Sequence, residues 1–346
     1  MTAPDGVLDT KGMWDATVGF PEQVEHAAKS SASLIGLPQH DEIENVVVLG
    51  MGGSGIAGDL MTAVAGPFMP VPVVVTKGYE PPNFVGPTTL CFALSFSGDT
   101  EETVEAAQIA ALSGARMVVI AKGGELARLA RSWDATLIGL PDGIPYPRAA
   151  LGAMAIPTLM VLEQTGLFPG ASGWIDLAVE QLKIRRDELC KEDNGARELA
   201  RHIGRTMPII YGGGGLGAAA ALRWKNEINE NPKAPAFIHT VPELTHNEIA
   251  GWGQHGDVTR QVFSLVLLRH DHEHPQIMRR FDLIRQWTEE AVNRIEEVHA
   301  AGDGPLSQVL DLMFYGSMVS LYMAAQEGVD PGPITVLEEI KAALAD

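Results

Sequence analysis

The sequence predicts an α/β chain made of two doubly wound parallel sheets, and three observations carry that expectation. Short apolar runs of strand length alternate with helical patterns along most of the 346 residues, the order expected of parallel βαβ units with helices on both faces. The length suits two domains. The same opening also occurs twice. Val46-Val47-Val48-Leu49 leads into Gly50-Met51-Gly52-Gly53-Ser54-Gly55, and Ile209-Ile210-Tyr211 leads into Gly212-Gly213-Gly214-Gly215-Leu216-Gly217. Each is a strand, a glycine-rich turn and a helix, which points to two domains of related architecture.

In chain order, the first unit starts with a strand over Asn45 to Gly50 and a helix from about Gly55 to Ala65. Strands follow at Val71 to Thr76 and Leu90 to Leu94, then a helix from Thr103 to Leu112. Met117 to Ala121 is a strand, Glu125 to Ser132 a helix and Ala135 to Leu140 a strand, and a long helix from about Arg148 through Leu162 closes the unit. The Gly/Pro break at Gly166 to Gly173 and the polar helices Ile175 to Cys190 and Asn194 to Ile203 form the connection. The pattern then restarts, with strands at Met207 to Tyr211, Ala236 to His239, Gln261 to Leu268 and Arg294 to Val298. Helices cover Ala218 to Asn229, Pro275 to Asn293, Pro305 to Glu327 and Ile334 to Ala345. The expected division is residues 1–165, a helical connection over 166–204, and residues 205–346.

Composition narrows the function. A hydrophobic fraction of 46% supports a sizeable core. A formal net charge of −19 argues against nucleic acid or an anionic membrane as partner. An anionic substrate must therefore be met by positive groups within its site. The two cysteines, Cys91 in an apolar run and Cys190, make no disulfide framework and suit a reducing compartment such as the cytoplasm. Met1 to Lys11 holds Asp5 and Asp9 and has no apolar centre, unlike a signal peptide. The longest apolar run, Ala149 to Leu162, is too short to span a bilayer and contains Pro157.

The segment with the most chemical content is Leu94-Ser95-Phe96-Ser97-Gly98-Asp99-Thr100-Glu101-Glu102-Thr103, between a strand and a helix. Ser95, Ser97 and Thr100 put three hydroxyls around one glycine at a helix N-terminus, whose unpaired N–H groups and partial positive charge attract anions. This suits a phosphate monoester held without a metal. An ordinary N-capped turn, which needs only one hydroxyl, is the other reading. The two glycine turns match a dinucleotide fingerprint in spacing, but that motif wants an acidic residue at the end of the second strand, where Lys77 and Gly78 stand. The glycines serve either tight strand–helix packing or a backbone cradle in which Gly52, Gly53 and Ser54 admit a ligand to the main chain.

Further candidates are scattered along the chain. Pro147 fixes the start of a helix, so Arg148 projects from its first turn, either as a surface residue or as a fixed cation for an oxyanion. Glu227 and Glu230 lie three apart on one helix face, as a solvated pair or with one as a general base. Thr245 and Glu248 have capping-box spacing, which places His246 in a first helical turn. There the imidazole stays neutral near pH 7, suited either to a structural role or to proton transfer. His270-Asp271-His272-Glu273-His274 resembles a metal motif but falls on a surface loop without a cysteine partner. Lys341 lies near the end of the last helix, where a lysine complements the dipole.

As an ordered set these segments resemble the sugar isomerase (SIS-domain) superfamily, and within it the bifunctional phosphoglucose/phosphomannose isomerases. Gly50 to Asp59 resembles the family's first motif and Ser95 to Thr103 its phosphate loop. Pro147-Arg148-Ala149 resembles its arginine motif, while Asn229 to Lys233 and Pro242 to Glu248 resemble the paired motifs of its second domain. Asp330-Pro331 with Ile340-Lys341 resembles its C-terminal motif. The resemblance implies flavodoxin-like SIS domains and reversible aldose–ketose isomerisation to fructose 6-phosphate through a cis-enediol, without metal or organic cofactor. By the same resemblance Ser95, Ser97 and Thr100 hold the phosphate, and Gly52, Gly53 and Ser54 line the sugar site. Arg148 stabilises the enediolate and Glu230 moves the proton between C1 and C2. His246 and Lys341 assist ring opening, the histidine being contributed across a homodimer interface. Asp99, in place of an expected asparagine, and Pro232, in place of a small polar residue, depart from the pattern.

Two other functions draw on some of the same residues. A non-catalytic SIS-type regulator that binds sugar phosphate needs the hydroxyl loop but has no need of Glu230, Arg148 and His246 together. An NAD-dependent enzyme is disfavoured by Lys77 and Gly78.

Overall fold

The computed structural model describes residues 8–344. The first seven residues of the stretch Met1 to Lys11, and Ala345 at the end of the last expected helix, lie outside the described residues.

Two helices that the sequence reading did not anticipate, α1 (Met13–Val18) and α2 (Phe20–Ser30), precede the first sheet. The sheet unit then runs β1 (Asn45–Leu49), α3 (Gly52–Val64), β2 (Val73–Thr76), β3 (Thr89–Ser95), α4 (Glu101–Leu112), β4 (Arg116–Ala121), α5 (Gly124–Ser132) and β5 (Thr136–Gly139). All five strands are parallel in the order β2-β1-β3-β4-β5. After a 3₁₀ turn at Pro147–Ala150 come α6 (Leu151–Gln164), α7 (Ala171–Leu189) and α8 (Gly195–Ile203). The second sheet unit is β6 (Met207–Gly213), α9 (Gly214–Glu230), β7 (Phe237–Val241), α10 (Gly256–Val262), β8 (Phe263–Arg269), α11 (Pro275–Thr288) and β9 (Arg294–His299). Its four parallel strands are ordered β7-β6-β8-β9, repeating the first four positions of the other sheet. Helices α12 (Gly304–Glu327) and α13 (Thr335–Leu344) end the chain.

Strand alternation divides the core into layers. In β1, Val46 and Val48 face a large central cluster while Val47 and Leu49 face an outer one; in β3, Leu90, Phe92 and Leu94 oppose Cys91 and Ala93 in the same way. The central cluster reaches both sheets through α6, α9 and α12, so one hydrophobic body joins the two units. Nearly every side chain of α6 and most of α12 is buried, as befits helices apolar all round. The continuous apolar run of the sequence is therefore a buried helix, α6, packed against α2, α3 and α7. No helix among the described residues is long and apolar enough to cross a membrane.

Several boundaries differ from expectation. Helix α3 starts at Gly52 and α9 at Gly214, three and four residues earlier than the apolar pattern implied. Glycines open both helices, and Gly52 and Gly214 at their heads take positive φ of 49° and 61°, which glycine adopts without a β-carbon penalty. The helix expected to run from Arg148 instead opens as a 3₁₀ turn, with Arg148 buried inside it. The segment at His246 is not an α-helix either: it forms two 3₁₀ turns, Glu243–His246 and Glu248–Gly251. Thr245 and Glu248 make no capping box. Thr245 bonds the Pro242 carbonyl, and Asn247 rather than Thr245 accepts from the Glu248 N–H. The loop after β8 is only partly a surface loop, since His270 and Glu273 are buried while Asp271, His272 and His274 are exposed.

Gly98 is the tightest backbone contact near the first sheet's carboxyl edge. It has φ of 87°, and a β-carbon there would sit 1.8 Å from the Gly123 carbonyl oxygen. Gly98→Ala is expected to cost at least about 2–3 kcal/mol, from the left-handed conformation and the clash together. A urea midpoint matching the unsubstituted chain would show that this loop can rearrange freely.

Candidate active site

Sheet order fixes where a site can form. In the order β2-β1-β3-β4-β5 the chain reverses direction between β1 and β3, and the turns after those two strands open a crevice at their carboxyl ends. The turn after β1 is the glycine turn at the head of α3, and the turn after β3 carries the hydroxyls. The two touch, since a β-carbon on Gly50 would lie 3.1 Å from the Leu94 carbonyl.

The hydroxyl loop is organised internally and leaves its helix uncapped. Buried Ser95 ends β3; its Oγ accepts from the Gly98 N–H at 3.0 Å and lies 2.8 Å from Thr100 Oγ1. Exposed Ser97 accepts from the Asp99 N–H at 3.2 Å. Thr100 occupies the N-cap position of α4 with no side-chain cap bond. Its hydroxyl is turned to Ser95, so the first N–H groups of α4 keep no side-chain partner. This arrangement departs from the ordinary capped turn. Asp99, the acidic departure from the family pattern, bonds the Glu125 N–H at 2.8 Å and caps α5. The loop is strapped to the next turn by Leu126 N–H to Gly98 O and Lys122 N–H to Phe96 O.

Of the first glycine turn, Gly52 is exposed, Gly53 half-buried and Ser54 buried, with Ser54 Oγ 3.8 Å from the Met154 sulfur. Gly53 abuts the arginine segment: a β-carbon there would meet the Pro147 carbonyl at 3.1 Å. Glycine at this point lets the helix start and the Arg148 backbone approach each other.

Arg148 is 3% exposed, and its guanidinium is spoken for almost entirely. Nε donates to Asn231 Oδ1 at 2.8 Å, Nη1 to Glu230 Oε2 at 3.3 Å, and Nη2 to the carbonyls of Pro331 and Gly332 at 2.5 and 2.7 Å. The charge also lies 4.6 Å from the Tyr146 ring centroid. Four of its five N–H donors are thus satisfied by protein, leaving one on Nη1, beside Glu230. Burial pulls the Arg148 pKa down, opposed by the Glu230 and Glu227 carboxylates.

The two glutamates three apart on α9 have separate fates. Glu227 is buried, accepting from Arg223 at 2.6 Å and from Ser317 at 2.6 Å, and burial raises its pKa. Glu230, the last residue of α9, keeps 28% of its side chain exposed against the buried arginine. A network closes behind them. Asn231 Nδ2 donates to Ser320, Ser320 to the Ser317 carbonyl, Ser317 to Glu227, and Arg223 donates both to Glu227 and to the Arg148 carbonyl. Lys233, at φ of 57°, donates to the carbonyls of Asn231 and Asp330. Burial and the neighbouring Arg148 charge lower its pKa.

The sequence reading picked Arg148 and Glu230 and the structure brings them together. It did not single out Asn231, Ser317, Ser320 or Lys233. A signal existed for the serines, because polar residues inside an apolar helix such as α12 must find buried partners. His246 and Lys341 are not brought to Arg148 or Glu230 within this chain: His246 is exposed on its 3₁₀ turn and Lys341 on α13, and no hydrogen bond or ion pair among the described residues joins either to them. Of the C-terminal motif, Pro331 reaches Arg148. Glu248, expected to cap a helix, instead takes the Tyr211 hydroxyl and lies 3.1 Å from His239 Nδ1.

Residues 42–144 match the family described as SIS domain, and residues 192–344 match the bacterial phospho-glucose isomerase C-terminal SIS domain. A bifunctional phosphoglucose/phosphomannose isomerase of Caldicellulosiruptor bescii is 32% identical over 96% of this chain and 99% of its own. One from Aquifex aeolicus is 30% identical over 87% and 90%. Among solved structures, tagatose-6-phosphate ketose/aldose isomerase from Escherichia coli shares the fold, with a TM-score of 0.71 at 14% identity, covering 94% of this chain and 96% of that one.

Removing the Asn231 amide leaves a buried guanidinium N–H without an acceptor. Asn231→Ala is expected to lower unfolding free energy by about 2–3 kcal/mol, the range for an orphaned buried group tied to a charge. Asn231→Asp, which keeps the acceptor, is expected to lose less. Equal losses in denaturant titrations would show that the contact to Arg148 is not what Asn231 supplies.

Proposed function

This chain belongs to the bifunctional phosphoglucose/phosphomannose isomerase family, and we propose that it interconverts glucose 6-phosphate, mannose 6-phosphate or both with fructose 6-phosphate, without a metal, through a cis-enediol. The observation that carries the reading is the half-exposed Glu230 carboxylate set against a buried Arg148, at the crevice that also holds an uncapped helix and three hydroxyls.

The reaction moves one proton between neighbouring carbons. A carboxylate removes the proton from C2 of the aldose, electrons shift to the C1 oxygen, and an enediolate forms. The hydroxyl proton on the C2 oxygen passes to the C1 oxygen, and the same carboxyl group returns its proton to C1 as C2 becomes the carbonyl carbon. Glu230 supplies that carboxylate. Its pairing with Arg148 holds it in position, and the remaining Nη1 N–H of Arg148 serves the developing oxyanion. Positioned acid–base catalysis is worth about 100- to 10,000-fold, and one oxyanion donor about 3–4 kcal/mol. Ser95, Ser97, Thr100 and the first N–H groups of α4 hold the phosphate, supplying the local positive field that a chain of net charge −19 lacks overall. Asp99 bonds to α5, which draws its carboxylate toward that helix. Gly52, Gly53 and Ser54 bound the sugar site, where glycine lets the ligand reach the main chain.

His246 and Lys341 open the sugar ring. Exposure of His246 supports its delivery into the site of a second copy, so the working unit is a homodimer. We divide the chain into an N-terminal SIS domain over 1–165, a connection over 166–204 and a C-terminal domain over 205–346, and place the protein in the cytoplasm, where free Cys91 and Cys190 persist.

Glu230→Gln should lower kcat by at least a thousandfold while calorimetry still detects fructose 6-phosphate; near-normal turnover would remove Glu230 from the mechanism. Retained binding with no turnover in the unsubstituted chain, for both aldoses, would favour the non-catalytic sugar-phosphate regulator. Ser97→Ala is expected to raise KM about tenfold or more with kcat little changed, the loss of one bond to a charged group; an unchanged KM would count against the phosphate loop. Glu230→Gln and His246→Ala subunits, each inactive alone, should regain activity when mixed and reassociated. Silence of the mixture would mean that the histidine does not cross between copies.

A further inference from the structure

Helices α3 and α9, each headed by a glycine turn, pack against one another in opposite directions. The first turn of α9 meets the last turns of α3, where a β-carbon on Gly215 would lie 3.7 Å from Ala63. The last residue of α9, Glu230, bonds Arg148 beside Gly53 in the first turn of α3. With both sheets sharing the strand order 2-1-3-4, the two ends of this helix pair are approximate equivalents. One end is the Arg148–Glu230 site. The other holds a cavity of about 730 Å³, within the range of small-molecule sites.

This second end has different chemistry. Phe68, Val75, Leu222 and Ile238 make its walls, with Gly214 and Gly215 at the head of α9. Where the first end has a hydroxyl loop after β3, this end has Arg269 to His274 after β8, without Ser or Thr, and contributes His270 and His272. His270 is 8% exposed; its Nε2 lies 2.9 Å from the Gly213 carbonyl and so donates to it. Burial lowers the ring's pKa, and Nδ1, itself out of contact with solvent, has no partner among the described residues. Asp59 on the rim is paired with Lys77 at 2.5 Å.

We propose that this interdomain cavity is a second ligand site, taking a small, mostly apolar organic anion. The apolar walls bury the body of such a ligand. The unpaired N–H groups at the head of α9 receive the anion, and the His270 ring lines the wall against which the ligand's body packs. A hexose phosphate does not fit, because its hydroxyls would lose water against Phe68, Leu222 and Ile238 without replacement bonds.

The probe is 8-anilinonaphthalene-1-sulfonate, which has a fused apolar body and a sulfonate. Fluorescence titration of the full chain should show one saturable site per chain, undisturbed by excess fructose 6-phosphate. Ala218→Trp and, separately, Ala63→Trp fill the cavity and should each weaken the probe at least tenfold while leaving isomerase turnover unchanged. In the unsubstituted protein, the His270 ring proton, assigned through His270→Gln, should shift in NMR spectra as the probe binds. The proposal is overturned if folded variants bind the probe as before, if fructose 6-phosphate displaces it, or if the His270 resonance does not move. It is equally overturned if binding disappears as protein concentration rises, since the cavity would then be a contact between copies. Probe binding is read without turnover, so failure here is distinct from failure of the isomerase reading.

Discussion

The buried guanidinium of Arg148 is the constraint around which the two halves of the molecule are arranged. A charge taken out of water is costly unless its donors are met. Four acceptors meet it here, and all come from beyond residue 229: Glu230, Asn231, and the carbonyls of Pro331 and Gly332. None belongs to the sheet unit that precedes Arg148. The arginine is therefore satisfied only when the end of α9 and the segment after α12 are docked, so closing the interdomain seam and assembling the site are one event.

The network behind Arg148 explains why two similar glutamates behave differently. Glu227 sits among Arg223 and Ser317 and serves the interior, tying α9 to α12. Glu230 lies one helical turn on, where α9 ends and the wall opens, so its carboxylate is held on one side and free on the other. The role proposed for Glu230, that of a base, needs both conditions: fixed geometry and access to the proton it moves. The fixed side is an N–H of a group that cannot itself leave its place.

The carboxyl edge of the first sheet shows a related division of labour among short polar residues. Ser95 and Thr100 bond one another, and Asp99 turns to α5, so neither of the obvious capping groups caps α4. The cost of an uncapped helix start is borne by neighbouring contacts, among them the strap between Gly98 and the turn at Gly123 to Leu126. The pairing of α3 with α9 repeats this architecture at the opposite end of the molecule with imidazoles and apolar walls in place of hydroxyls. A duplicated fold thus presents two crevices whose chemistry differs because the loop after the third strand differs.

Local physics made much of this legible in the sequence alone. Strand length, glycine turns and apolar alternation determined the parallel α/β class and the order of the nine strands, because those signals act over a few residues; they missed α10, whose last turn takes Gln261 and Val262 from the strand expected over Gln261 to Leu268. The hydroxyls at Ser95, Ser97 and Thr100 and the candidates Arg148 and Glu230 were visible for the same reason. Tertiary structure decided the rest. Nothing near Arg148 in the chain tells that its partners lie about eighty and more than one hundred and eighty residues away. Spacing placed Thr245 and Glu248 in a capping box, but the Pro242 carbonyl captured Thr245, while Tyr211 captured Glu248. Spacing likewise put Glu227 and Glu230 on one face without saying which would be buried. A residue's identity and its neighbours in sequence fix what it can do. Which partners reach it, and how much water remains, is settled only when distant segments pack.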